Sequence, residues 1–467
     1  MEETRGGRPA ITSPLPGGER LVQIEATQNK SAQDGLKREL TLGSATALVV
    51  GEVIAVGIFL TPAQMAKSLG SPLLVIIVWL AMGLMALSGA YCYGELAARY
   101  PRTGGGYVYL REAYGPRLGF LYGWKCFLVM DPGLTAALAV GMASYVGYIV
   151  NLSSIGTKAV AIGAVVALAA ANTVGVRLGA QLLRSLAALK IVSLCFIILW
   201  GFLGRFGDWG NLWPLAQRRP GSAPLMTAVA GAMLAGFFSF GGWWDLSKMG
   251  GEVRDPQRTL PRAIAFGVCI VTLIYIATSV AFMYLVPLER VSSGETFAAQ
   301  AGEALFGAAG AQVFSGIVVV SVLGSLTAII MTAPRVYYAM AGDGLFFKTA
   351  ASIHPRFGTP AAAIALQAAI ASLLIAIGTF QQIIAYFIFV TVIFIGLTVA
   401  SLFVFRRTGE GSTYRAPGYP ATPLFFIGLT IVLLILIAAN DPKQALLGVG
   451  VVALGLPVYE LVFRKRG

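Results

Sequence analysis

The chain has 467 residues, 57% of them hydrophobic and 12% charged, against roughly 45–50% and about 25% in an average soluble domain. Those proportions exclude an ordinary soluble globular enzyme. The net charge of +13 does not point to nucleic acid, because Lys and Arg fall between apolar stretches rather than on a basic soluble face.

Residues 1–36 are polar, contain no apolar run of signal-peptide kind and read as a disordered cytoplasmic tail. Beyond them the sequence predicts twelve helical spans, at 41–66, 72–98, 117–150, 157–175, 181–204, 225–249, 261–286, 312–340, 360–379, 382–405, 422–440 and 443–463. Each is apolar over the roughly 20 residues that a hydrocarbon core of about 30 Å requires. With the N-terminus inside, the inner loops and flanks carry 21 Lys and Arg and the outer loops seven. The predicted protein is therefore an all-α, multi-pass protein of the plasma (inner) membrane with both termini cytoplasmic. Cys92, Cys126, Cys195 and Cys269 all fall inside spans and read as small core hydrophobes. None is placed to join outer loops or to hold a partner subunit by a disulfide.

Glycine is abundant, with 56 residues, and most of it serves close helix packing. Two clusters instead interrupt a span at its middle: Gly-Glu-Val-Ile-Ala-Val-Gly-Ile-Phe at 51–59 in span one, and Phe-Phe-Ser-Phe-Gly-Gly-Trp at 237–243 in span six. Paired interrupted spans at matching positions of two five-helix halves mark an inverted-repeat transporter. A helix can unwind in lipid only around a polar cavity, because its freed N–H and C=O groups need partners. Half-helix N-termini attract a carboxylate and freed carbonyls take an ammonium, so a zwitterion of α-amino-acid type fits both.

An ionisable residue in mid-membrane is a functional candidate by default. Three qualify: Glu52 beside the first break, Asp131 in span three and Lys190 in span five. Lys125 and Asp245 lie nearer span ends and are expected to snorkel to the interface.

In combination, five motifs resemble the amino acid–polyamine–organocation superfamily, and within it the L-type amino acid transporter-like family in its bacterial form. They are Gly-Ile-Phe-Leu-Thr-Pro at 57–62, Tyr-Gly-Glu-Leu at 93–96 with Thr-Gly-Gly-Gly-Tyr-Val-Tyr at 103–109, and Phe-Gly-Gly-Trp at 240–243. Then come Gly-Glu-Val-Arg-Asp-Pro-Gln-Arg-Thr-Leu-Pro-Arg-Ala-Ile at 251–264 and Pro-Arg-Val-Tyr-Tyr-Ala-Met-Ala-Gly-Asp-Gly-Leu-Phe at 334–346. The resemblance implies a ten-helix core at 37–405, built as the 5+5 inverted repeat of the leucine transporter with helices one and six discontinuous. Helices eleven and twelve and a short basic tail, at 406–467, lie outside it.

The resemblance further implies sodium-independent amino acid transport, with neutral L-amino acids as substrates and exchange by alternating access as mechanism. The substrate carboxylate would meet backbone N–H groups of Ala55, Val56, Gly57 and Ile58, and its ammonium the carbonyls of Val53, Phe238 and Gly241. Phe240 would close over the site as an aromatic gate. Lys190 falls where the family places an ammonium in a sodium ion's position, tying span one to span eight. The first break usually reads Gly-Ser-Gly; Ala55-Val56-Gly57 lacks that hydroxyl. Where the family has two glutamates after span six, Gly251-Glu252 leaves one acid.

For Glu52 and Asp131 three roles stay open: a structural ion network, a proton relay, or attraction of a cationic side chain. The alternative function is accordingly a proton-coupled symporter of cationic or amine substrates. A membrane-embedded enzyme is poorly supported, since the sole histidine, His354, lies in a loop and no Cys/His cluster or His-Glu-x-x-His run offers metal ligands. No Walker-type loop is present for ATP, and the short tail gives a non-transporting sensor no signalling extension. The expected partners are thus a small amino acid and the lipid bilayer, with no cofactor, metal, nucleic acid or disulfide-linked accessory subunit.

Overall fold

The computed structural model describes residues 38–174, 176–292, 297–377, 380–409, 412–440 and 442–464. The tail expected at 1–36 lies outside them. Among the described residues there is no β-strand, and nine helices are long and apolar enough to cross a membrane. Three shorter apolar helices, at Leu42–Val53, Ala188–Leu203 and Ala361–Ile377, fall on the remaining predicted spans one, five and nine.

Span one is split into α1 (Leu42–Val53) and α2 (Gly57–Leu69). Thr41 caps α1 in a capping box with Ser44, and the left-handed Gly70 (φ 64°) ends α2. Then come α3 (Pro72–Arg99), α4 (Gly106–Tyr114) and α5 (Pro116–Lys125). A single π-helical turn, Cys126–Met130, joins α5 to α6 (Asp131–Val150), so span three is continuous but carries one residue too many. Its cause is Pro132, which has no N–H to donate back along the helix.

Next are α7 (Ser154–Val174), α8 (Val176–Leu203), α9 (Leu225–Phe240) and α10 (Pro256–Leu285). The chain continues through α11 (Phe297–Phe306), α12 (Gly310–Thr332), α13 (Pro334–Gly342), α14 (Ala361–Ile377) and α15 (Phe380–Arg407). It ends in α16 (Ala421–Asn440), α17 (Pro442–Ala453) and α18 (Gly455–Val458). Helices α4 and α11 lie in segments that the apolar pattern left as loops.

The helices pack in two groups. One joins α10 to α3 and α1, and α9 to α2; the other joins α6 to α12, α7, α14 and α15, with α8 on α12. Within the first group the backbones of α3 and α10 approach so closely that a Cβ at Gly83 would sit 2.5 Å from Thr272 Cγ2. Of the cysteines, Cys92 and Cys126 are buried core residues as expected, whereas Cys195 and Cys269 are exposed on the outer faces of α8 and α10.

Both groups are tied together at the end of the molecule rich in arginine. The Arg335 guanidinium grips Glu252 through two nitrogens at 3.0 and 3.4 Å, both residues buried. Arg406 does the same to Glu95 at 2.9 and 2.6 Å. Leu40 and Val253 form a short bridge, with Leu40 donating to the Glu252 carbonyl and accepting from Arg254. Asp343 accepts the Tyr107 hydroxyl at 2.8 Å and pairs with Arg111.

Candidate functional site

The two interrupted spans meet where α1 gives way to α2 and α9 ends. At the first break the chain leaves the helix over 54–56, with Ile54 extended, and α2 restarts at Gly57. Its opening turn presents N–H groups that have no acceptor within the helix. Gly57 is required by proximity: a Cβ there would lie 2.8 Å from Ser239 Oγ and 2.9 Å from Ser239 Cα. At the second break α9 stops at Phe240, and Gly242 takes a positive φ of 109° that turns the chain against the Glu52 stem.

Between the breaks lies a cavity lined by Glu52, Val53, Ala55, Gly57, Leu134, Leu138, Phe238, Ser239, Gly241, Ser325 and Ile329. Its volume of about 10 Å³ is about that of one water, so the site is closed down in this conformation. A second cavity lies across Phe238, lined by Met130, Leu134, Phe237, Phe238, Gly241, Trp244, Ile388 and Thr391.

Lys190 reaches the first break from behind. Its ammonium donates to the Gly51 carbonyl at 2.6 Å, to Ser325 Oγ at 2.9 Å and to the Ile54 carbonyl. Ser325 Oγ itself lies 2.9 Å from both of those carbonyls. Spans one, five and eight are thus knotted at the carbonyls that the unwinding exposes. Tyr275 of α10 plays a matching part on the other side, its hydroxyl lying 2.8 Å from the carbonyls of Val53 and Ser239 and donating between them. Thr61 Oγ1 and Ser239 Oγ share a further hydrogen bond of 2.9 Å between the two interrupted spans.

Of the residues expected at the substrate, Glu52, Val53, Ala55, Gly57, Phe238 and Gly241 line the cavity. Val56 and Ile58 have fully buried side chains that do not. The Val53 carbonyl, expected at the ammonium, already accepts Tyr275. Phe240 is not over the site: it packs against Trp79 and Tyr275 at ring separations of 6.0 and 5.2 Å, away from the cavity. Phe238, two residues back along the helix and so turned by about 200°, lines the cavity instead.

Asp131 lies off the cavity. Its carboxylate accepts the Tyr337 hydroxyl at 3.0 Å and pairs with Lys248 at 3.0 Å, and Lys248 lies 2.9 Å from Asp245. Lys125 and Asp245 do not snorkel. Both are fully buried, with the Lys125 ammonium 3.0 Å from Met130 Sδ and 4.5 Å above the Tyr122 ring. Apolar patterning carries no warning of Tyr275, Ser239, Ser325 or Tyr337, because hydroxyl side chains are ordinary in membrane helices. Lys248 looked like one more basic residue at a span end.

Residues 40–453 match the family described as amino acid permease. The chain belongs to that family. It is therefore a multi-pass membrane transporter of the amino acid–polyamine–organocation superfamily, L-type-like, and not an enzyme. It is 31% identical to the serine/threonine exchanger SteT of Bacillus subtilis, over 91% of this chain and 97% of that one. It is 28% identical to the mouse large neutral amino acids transporter small subunit 2, over 96% of this chain and 85% of that protein. With the human b(0,+)-type amino acid transporter 1 the identity is 30%, over 84% and 80% of the two chains.

Proposed function

We propose that this permease exchanges neutral L-amino acids across the plasma membrane without sodium, by alternating access in a 5+5 inverted-repeat core. The observation that carries the reading is Lys190. Its ammonium sits on the Gly51 and Ile54 carbonyls and Ser325 Oγ, which are the kinds of oxygen a sodium ion would need at an unwound helix. A cation supplied by the protein removes the requirement for one from solution. The names of the relatives, a serine/threonine exchanger and a large neutral amino acids transporter subunit, support exchange and neutral side chains.

In this reading the substrate carboxylate binds at the opening turn of α2, near Ala55 and Gly57. Its ammonium faces the carbonyls of Phe238 and Gly241. Its side chain enters the second cavity past Phe238, whose walls are apolar apart from Thr391. That lining favours apolar and hydroxyl side chains over charged ones. The transport core runs from α1 to residue 405, near the end of α15, with residues 406–467 at its periphery. The arginine-rich end faces the cytoplasm, where it carries both termini. The chain works without a disulfide-linked partner, since all four cysteines lie within helices of the bundle.

The test is counterflow in proteoliposomes without sodium. Vesicles preloaded with unlabelled serine, threonine, alanine or leucine should take up the labelled amino acid at least about tenfold faster than empty ones. Equal rates in loaded and empty vesicles defeat exchange, and uptake that appears only with sodium defeats the role given to Lys190.

A further inference from the structure

The second cavity has a further space behind one of its walls. That space lies between α3, α9 and α16, and Met82, Met85, Ala86, Phe240, Trp243 and Phe426 line it together with Phe237. Phe237 lines both cavities, so its ring is the partition between them. The second cavity has a volume of about 20 Å³ and the space behind it about 10 Å³, which is room for one or two waters and for about one. Neither can receive a phenyl ring, so the Phe237 side chain has nowhere to swing.

Neighbouring rings hold it as well. Phe237 stacks on Trp244 at 6.2 Å with the planes 24° apart, and Trp244 meets Trp243 edge-on at 5.3 Å. Trp243 is braced in turn by Tyr93 at 5.1 Å and Phe426 at 6.2 Å. The backbone that carries the partition is fixed too. A Cβ at Gly236 would lie 2.8 Å from Met82 Cγ, and one at Gly89 would lie 2.6 Å from Phe426 Cε2 and from Trp243 Cη2, so α9 and the rings beyond it cannot retreat toward α3.

We propose that Phe237 sets the upper size of the side chain this permease carries, admitting alanine, serine and threonine and refusing phenylalanine and tryptophan, an inference that rests on the transport reading above. A side chain that passes Phe238 fills the second cavity within a few atoms and then meets the Phe237 ring. A longer one has to push that ring off Trp244 into a space that holds one water. Close-packed walls make such overpacking costly. Phe237 acts by the volume it occupies, with no charge or hydrogen bond, so what it governs is the ranking of substrates rather than a rate common to all of them.

The experiment is counterflow by the full-length protein in proteoliposomes, comparing kcat/KM for labelled tryptophan and labelled serine. Wild type should favour serine by at least about a hundredfold. Phe237→Ala joins the two cavities and should raise the tryptophan-to-serine ratio at least about tenfold, the least that one methylene is worth in an apolar pocket. Ala86 faces the same space from α3, so adding Ala86→Phe to Phe237→Ala rebuilds the partition from the other side and should return the ratio to within about threefold of wild type. If Phe237→Ala does not fold, Phe237→Leu should move the ratio in the same direction by about threefold, and the wild-type ratio still decides.

Wild-type vesicles that carry tryptophan as readily as serine overturn the size limit. A ratio unmoved by shortening Phe237 overturns it too. So does a raised ratio that Ala86→Phe fails to reverse, which assigns the gain to a loosened bundle rather than to the joined cavities. In all three cases serine still exchanges and the exchanger reading stands; wild-type vesicles that exchange no amino acid overturn that reading along with this one.

Discussion

Phe238 and Phe240 are two residues apart and point in opposite directions, one into the cavity and one into the rings of Trp79 and Tyr275. Phe238→Ala should raise KM for exchange at least about tenfold while leaving thermal unfolding in detergent unchanged. Phe240→Ala should do the reverse, costing about 3 kcal/mol of stability with KM kept in the protein that survives; a KM effect at Phe240 would reinstate it as the gate. The lone lysine was legible in the sequence, because a cation amid apolar residues in mid-span has few uses. Its partner Ser325 was not, since nothing in a serine's neighbours along the chain says which carbonyl lies across from it. Lys190→Ala should slow uptake at least about tenfold, as Gly51 and Ile54 lose a charge-assisted donor, while size-exclusion behaviour stays that of wild type. Normal uptake by this variant would remove Lys190 from the mechanism.

At the scale of elements, the two breaks were readable because glycine in mid-span is costly and has to be accounted for by packing or function. The split at 54–56 and the turn at Gly242 fall inside the two glycine clusters. The π turn at Cys126–Met130 was not readable. Its residues are as apolar as the helix around them, and its cause, Pro132, also occurs in helices that simply bend. Helices α4 and α11 were missed because the hydropathy pattern registers the crossing of a membrane rather than short amphipathic turns. Gly57→Val should abolish substrate binding, because the Ser239 Cα that its side chain would meet belongs to backbone and cannot rotate away. Calorimetric titration of the purified protein checks this; wild-type affinity would show that α2 and α9 part easily.

Across the whole molecule, the arginine-rich end is held shut by contacts that cross between helix groups, among them the buried pair of Arg335 with Glu252. With the cavity at about 10 Å³, an amino acid can pass to or from the arginine-rich end only if such contacts break in turn. Removing one partner of a buried ion pair typically costs about 3–5 kcal/mol, so Glu252→Gln should destabilise the closed form. The check is thiol labelling of Ser239→Cys in a background without the four native cysteines, where the Glu252→Gln version should react several-fold faster. An unchanged rate would mean that the opening barrier lies elsewhere. The all-helical, multi-pass character was available from composition, because bilayer thickness sets a length that hydropathy can count; among the described residues nine helices are long and apolar enough to cross, and three shorter apolar helices fall on the other predicted spans. The ion cluster was half available: Asp131 stood out, while Lys248 was hidden among the basic residues that orient the chain.

The surplus residue in span three has an evolutionary corollary. Each residue added to or taken from a helix rotates the downstream part by about 100°, so deleting one position within 126–130 would restore a regular helix and swing Asp131 away from Lys248. Such a change would leave every motif, every apolar stretch and nearly the whole composition intact. Two permeases differing by a single alignment gap at this point could therefore be almost identical letter by letter and wired differently inside. Within this lineage, the insertion or loss of one unremarkable apolar residue is a shorter route to gaining or losing an internal ion contact than any exchange of one charged side chain for another.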